Sequence, residues 1–120
     1  MDQELRETLC RLIAGLVVAD DDLAPEEDAF IDRMLQRFDI KERDTIFPIV
    51  DRGEAAAKVR ELPPVVQQEA FTWLVEAAIA DGKVVAEERA YLLAVGRVIG
   101  LDEETTDDRV RKALAAPKRI

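Results

Sequence analysis

Four carboxylates recur in a pattern that could hold a hard cation: Asp20 with Glu27, and Asp81 with Glu88. At a common offset of sixty-one residues, Asp20 falls on Asp81 and Glu27 on Glu88. In each pair the Asp sits at a break between two helical stretches and the Glu on the first turn of the second stretch. A turn of this length can bring the two acids of one break face to face. Two carboxylates without a basic partner repel, and a calcium or magnesium ion relieves that repulsion. The first break adds oxygens from Asp21, Asp22, Glu26 and Asp28.

Other chemistries lack their residues. The chain has no His and one Cys, so neither a structural zinc site nor a Cys-His nucleophile can be assembled. There is no Ser, no P-loop and no dinucleotide fingerprint. An EF-hand also fails, because counting from Asp20 puts Pro25 at the glycine position and Ile31 at the bidentate Glu. From Asp81 the same positions fall on Ala86 and Leu92. The sequence therefore predicts no enzyme. The acids also have a role that needs no ligand. A Glu at the third helical position can reach back to free backbone N–H groups, and an Asp can fix the turn before it. Capping is the simpler of the two roles.

The elements that carry these residues are helical. Leu5, Leu9, Leu12, Ile13 and Leu16 mark a first amphipathic helix from Asp2 to about Ala19. Asp20-Asp21-Asp22 opposes its negative end, and Pro25 suits the first turn of a second helix buried through Phe30, Met34, Leu35 and Phe38. A third helix is expected from Lys41 to about Asp51, kinked at Pro48 and broken by Gly53, with a fourth from Glu54 to Leu62. Pro63-Pro64 opens a fifth that runs to Ala80 through Ala70, Trp73, Leu74 and Ala77, packed against the first. A sixth spans Ala86 to Ile99 and stops at Gly100, and a last ends at Ala115, before Pro117. Trp73 reads as core, and Tyr91 as a hydrogen-bonding residue at a helix crossing.

The offset extends past the acids, with Phe30 on Tyr91, Ile31 on Leu92, Met34 on Val95 and Phe38 on Ile99. The expected fold is all-α: one domain over residues 1–120, a six- to seven-helix bundle with two pseudo-symmetric helix-loop-helix halves. Its 120 residues, 48% hydrophobic, suffice for one packed core. A net charge of -9 disfavours nucleic acid and anionic membrane surfaces but suits cations or basic patches on another protein. No apolar run reaches the length of a membrane span, and the expected location is the cytoplasm. Cys10, inside the first apolar stripe, reads as a small buried residue.

The run from Ile79 through Ala80-Asp81-Gly82 to Glu87-Glu88, followed by apolar spacing to Ile99-Gly100-Leu101, resembles the hallmark of the TerB-like, tellurite-resistance family. That pattern is an apolar helix ending in Ala-Asp-Gly, a Glu-rich helix start, and an apolar helix ending near Gly-Leu. Val17 to Asp20, and on through Glu27 to Phe38, is similar to the family's other copy. The resemblance implies a compact helical stress-response domain that acts by binding, with Asp20, Glu27, Asp81 and Glu88 as candidate ligands for a divalent cation. The chain departs from the pattern at Asp21, where the second copy has Gly82, and at Lys83, where an acid is often seen. The alternative is a metal-independent protein-interaction module, with an exposed apolar groove beside the first and fifth helices or around Phe47.

Overall fold

Asp2 starts the first helix by accepting a hydrogen bond from the Leu5 N–H at 2.8 Å. The helix it opens, α1 (Gln3–Val17), carries an apolar stripe wide enough to be surrounded. In a computed structural model of the protein, which describes residues 2–19, 25–46, 49–80 and 82–116, Leu9, Cys10, Leu12, Ile13, Leu16 and Val17 of this helix are wholly buried. Around α1 lie α2 (Pro25–Arg37), a 3-10 turn (Arg43–Ile46), α3 (Arg52–Arg60), α4 (Pro64–Ala78) and α5 (Ala86–Val98), while α6 (Glu103–Ala115) packs on α4 and α5. Among the described residues there is no strand, and no helix is long and apolar enough to cross a membrane. The protein is an all-α bundle.

The repeat is visible in the helix boundaries. Gln3 and Val17 fall on Pro64 and Ala78 at the sixty-one-residue offset, and Pro25 and Arg37 fall on Ala86 and Val98. Burial follows the same register. The buried residues of α2 are Glu27, Phe30, Ile31, Met34 and Leu35, and those of α5 are their counterparts Glu88, Tyr91, Leu92, Val95 and Gly96. The expected packing of the two leading helices holds, since α1 lies against α4.

Both second helices also stop in the same way. Asp39 and Gly100 are counterparts and both have positive φ, 56° and 89°. Beyond them the Ile40 N–H reaches the Leu35 carbonyl, and the Leu101 N–H the Gly96 carbonyl, each at 2.8 Å. These are matched left-handed terminations, and only one uses the residue that adopts that conformation freely.

Tyr91 and Gly15 fix how α5 crosses α1. The buried Tyr91 hydroxyl donates to the Leu12 carbonyl at 2.9 Å, with the Val50 carbonyl also within 3.2 Å. A Cβ on Gly15 would stand 2.1 Å from that Val50 oxygen, so only glycine allows α1 to pass this close to the backbone before α3. In the other half, the counterparts of Tyr91 and Leu12 are Phe30 and Trp73, whose rings meet edge-on at 6.0 Å. Trp73 is half-buried, with Phe38 at 5.1 Å and the Arg37 guanidinium over its ring at 5.5 Å.

Between the halves the expected elements need correction. The helix expected from Lys41 to Asp51 is only the 3-10 turn Arg43–Ile46, and Phe47 and Pro48 lie outside the described residues. Gly53 does not break a helix but sits inside α3. The reason is local. The Asp51 carboxylate accepts from the Glu54 N–H at 2.9 Å and so opens a helix where one was expected to end.

On the surface the halves use opposite polarity at one shared position. Arg43 pairs with both Asp28 and Asp32 on α2. Arg89, the counterpart of Asp28, pairs with Glu103 at 2.7 Å and Asp107 at 2.8 Å on α6. Hydrogen bonding from Arg89 holds the Asp107 carboxyl below the usual carboxylate range.

Two outcomes follow. Asp39→Gly relieves the strained termination of α2 and is expected to raise the stability measured by urea denaturation, by up to about 1 kcal/mol. The lowered Asp107 pKa favours the fold above the ordinary carboxylate range, and that contribution is lost as pH falls through the folded-state value. Arg89→Met should therefore raise the Asp107 titration midpoint in carbon-detected NMR. The Asp102 midpoint, lowered instead by hydrogen bonds from Thr105, should stay in place.

Candidate functional site

Glu27 and Glu88 are the two predicted site residues that the described structure contains, and both are interior. Each occupies the third position of its helix, with 4% and 2% of its surface exposed. Glutamate is rarely buried to this degree without partners. Glu88 shows one of its own, because its Oε1 accepts from the Val85 N–H at 3.1 Å. Val85 has no side-chain acceptor for the helix start, so Glu88 supplies the reaching-back half of a capping box alone. Asp20 and Asp81 lie outside the described residues. Among the described residues, no group of three or more His, Cys, Asp or Glu is placed to hold a metal ion.

The neighbours of the predicted acids show which helix ends meet. Val18 and Ala19, at the end of α1, line a cleft of about 620 Å³ together with Glu87, at the start of α5. Ile79, Ala80 and Gly82, beyond α4, line a second cleft of about 310 Å³ together with Glu26, at the start of α2. Val18 and Ala19 are the counterparts of Ile79 and Ala80, and Glu26 is the counterpart of Glu87. The third wall corresponds in part, since Arg52 and Gly53 of the first cleft have Ala113 and Leu114 of the second as counterparts. Each cleft thus joins the break of one half to the second helix of the other. Spacing alone paired each Asp with the Glu of its own break, whereas the described neighbours bring the end of each leading helix to the helix start of the opposite half.

Residues that the spacing argument passed over line or face the first cleft. Tyr91 closes its floor and Asp51 and Arg52 stand on its wall. The pKa of the Tyr91 hydroxyl is pushed up first by burial and then by the negative charges of Asp51 and Glu54. The sequence signal that could have found this group is the offset applied crosswise between the halves. Cys10 contributes nothing to either cleft. It is buried, and burial pushes its thiol up to about 12, which leaves no thiolate at neutral pH.

Searches against protein-family models, curated proteins and solved structures return no match for the chain.

The capping role of Glu88 has a measurable signature. Glu88→Gln keeps an oxygen that can accept from the Val85 N–H, whereas Glu88→Ala removes it and empties a packed site. In urea denaturation the alanine variant should lose about 1–2 kcal/mol and the glutamine variant clearly less.

Proposed function

We propose that the chain is a non-enzymatic TerB-like domain of the stress and tellurite-resistance type. It acts by binding, with a hard divalent cation, calcium or magnesium, held by Asp20, Glu27, Asp81 and Glu88. The observation that carries this reading is the matched burial of Glu27 and Glu88 on the first turns of α2 and α5. Carboxylates repeated at matched interior positions suit a hard cation, which coordinates through oxygen alone. The clefts add support. Ala19, next to Asp20 in the chain, shares a cleft with Glu87, next to Glu88. Ala80 and Gly82, on either side of Asp81, share the other with Glu26, next to Glu27.

The second reading is a metal-independent protein-interaction module whose acids are caps and solvated charge. The hydrogen bond from the Val85 N–H to Glu88 favours it.

Thermal melting with added calcium or magnesium separates the two. A ligand that binds only the folded state stabilises it by about 2.7 kcal/mol at a hundred times its Kd, so the cation reading predicts a midpoint that climbs with metal concentration. The combined Asp81→Asn and Glu88→Gln variant should lose most of that climb while remaining folded. A midpoint indifferent to millimolar metal, or a climb of the same size in the variant, leaves the interaction module standing.

A further inference from the structure

The two clefts share one construction but not one chemistry. At the first, α3 opens with Asp51 and Glu54. At the second, the corresponding positions hold Lys112 and Ala115 on α6, and Lys112 is itself paired with Asp108 at 3.0 Å. Arg52 and Gly53 of the first wall correspond to Ala113 and Leu114 of the second. The first cleft is therefore twice as large, about 620 Å³ against 310 Å³, and is bordered by more acid. Its walls combine apolar and charged surface. Val18, Ala19 and Ile49 are half-buried beside it, Tyr91 lies beneath, and the exposed carboxylates of Asp51 and Glu87 stand at its sides. Arg52 is the one cation among its described lining residues and is exposed.

An apolar floor with carboxylates at the rim matches a side chain with an aliphatic stem and a cationic head. We propose that the first cleft, and not the second, receives a lysine or arginine side chain from a basic segment of a partner protein. The stem lies on Val18, Ala19 and Ile49, and the head meets Asp51 and Glu87. The chain's net charge of -9 draws such a segment in from a distance, and the local carboxylates choose the cleft. In the second cleft Leu114 takes the place of Gly53 and Glu26 is the one acid among the described lining residues, which makes that smaller copy an internal control.

This proposal does not rest on the cation reading, and its test is run in EDTA. The full chain, labelled with nitrogen-15, is titrated at low salt with hexalysine as probe. The amide signals of Val18, Ala19, Ile49, Gly53 and Glu87 are expected to move together and to return as salt is added. Asp51→Asn with Glu87→Gln removes two rim charges while the asparagine still caps α3, and should weaken binding at least several-fold. Gly53→Leu copies Leu114 into the first cleft. A Cβ at position 53 would meet only the Asp51 Oδ1, at 3.5 Å, so this variant should fold and lose the response. Three results overturn the proposal: no movement at millimolar peptide, movement centred on the acids of α6 or the start of α2, or variants that bind like the parent chain.

Discussion

The close approach of α1 to its neighbours is the constraint on which the arrangement depends. Gly15 lets the Val50 carbonyl stand where any other residue would place a Cβ, and the Tyr91 hydroxyl holds α5 to the Leu12 carbonyl beside it. A buried hydroxyl is tolerated only when its hydrogen bond is made, so this contact sets position as well as contributing attraction. With α1 fixed against α4 and α5, the stretch before α3 has one place to go, and the first cleft lies between them. A single absent side chain thus governs the spacing of three helices and the volume of the space they enclose.

The duplicated unit explains the rest of the architecture. Leading helices pack on each other, each second helix packs on its own leading helix and reaches the other one through Tyr91 or Phe30, and both second helices stop at a left-handed residue. Divergence has changed residue types on the buried faces while leaving the same positions of α2 and α5 buried, and on the surface it has changed charge. Tyr91 against Leu12 and Phe30 against Trp73 occupy one crossing with different means, a hydrogen bond in one and ring contact in the other. Charge at counterpart positions differs more, with Asp51 before α3 and Lys112 on α6.

Much of this fold was legible in the sequence because helical periodicity and the offset are local signals. The starts of α2, α4 and α5 and the stop at Gly100 carry their own chemistry, in proline, acidic pairs and glycine. The stretch from Lys41 to Gly53 was misread. Ile46, Ile49 and Val50 suggest a helix by composition, yet Asp51 caps the following helix, and a glycine inside α3 is permitted because tertiary packing outweighs its modest propensity cost. At the candidate site, the place of Glu27 and Glu88 on the first turns of α2 and α5 followed from spacing once the repeat was recognised, but their burial did not. The meeting of one half's break with the other half's helix did not either, since register along a chain carries no information on which surfaces face one another.

The opposed ion pairs bear on how such a chain avoids confusing its own copies. Helices of like shape and like apolar stripe invite mistaken docking, and here α6 could be offered to α2 as readily as to α5. The correct pairing sets Arg89 against Glu103 and Asp107, whereas the mistaken one would set Asp28 and Asp32 against the same two acids. Coulomb repulsion raises the energy of the wrong assembly while leaving the right one intact. Swapping the sign on one copy gives each duplicate an address, and the shared hydrophobic pattern can then be reused without ambiguity.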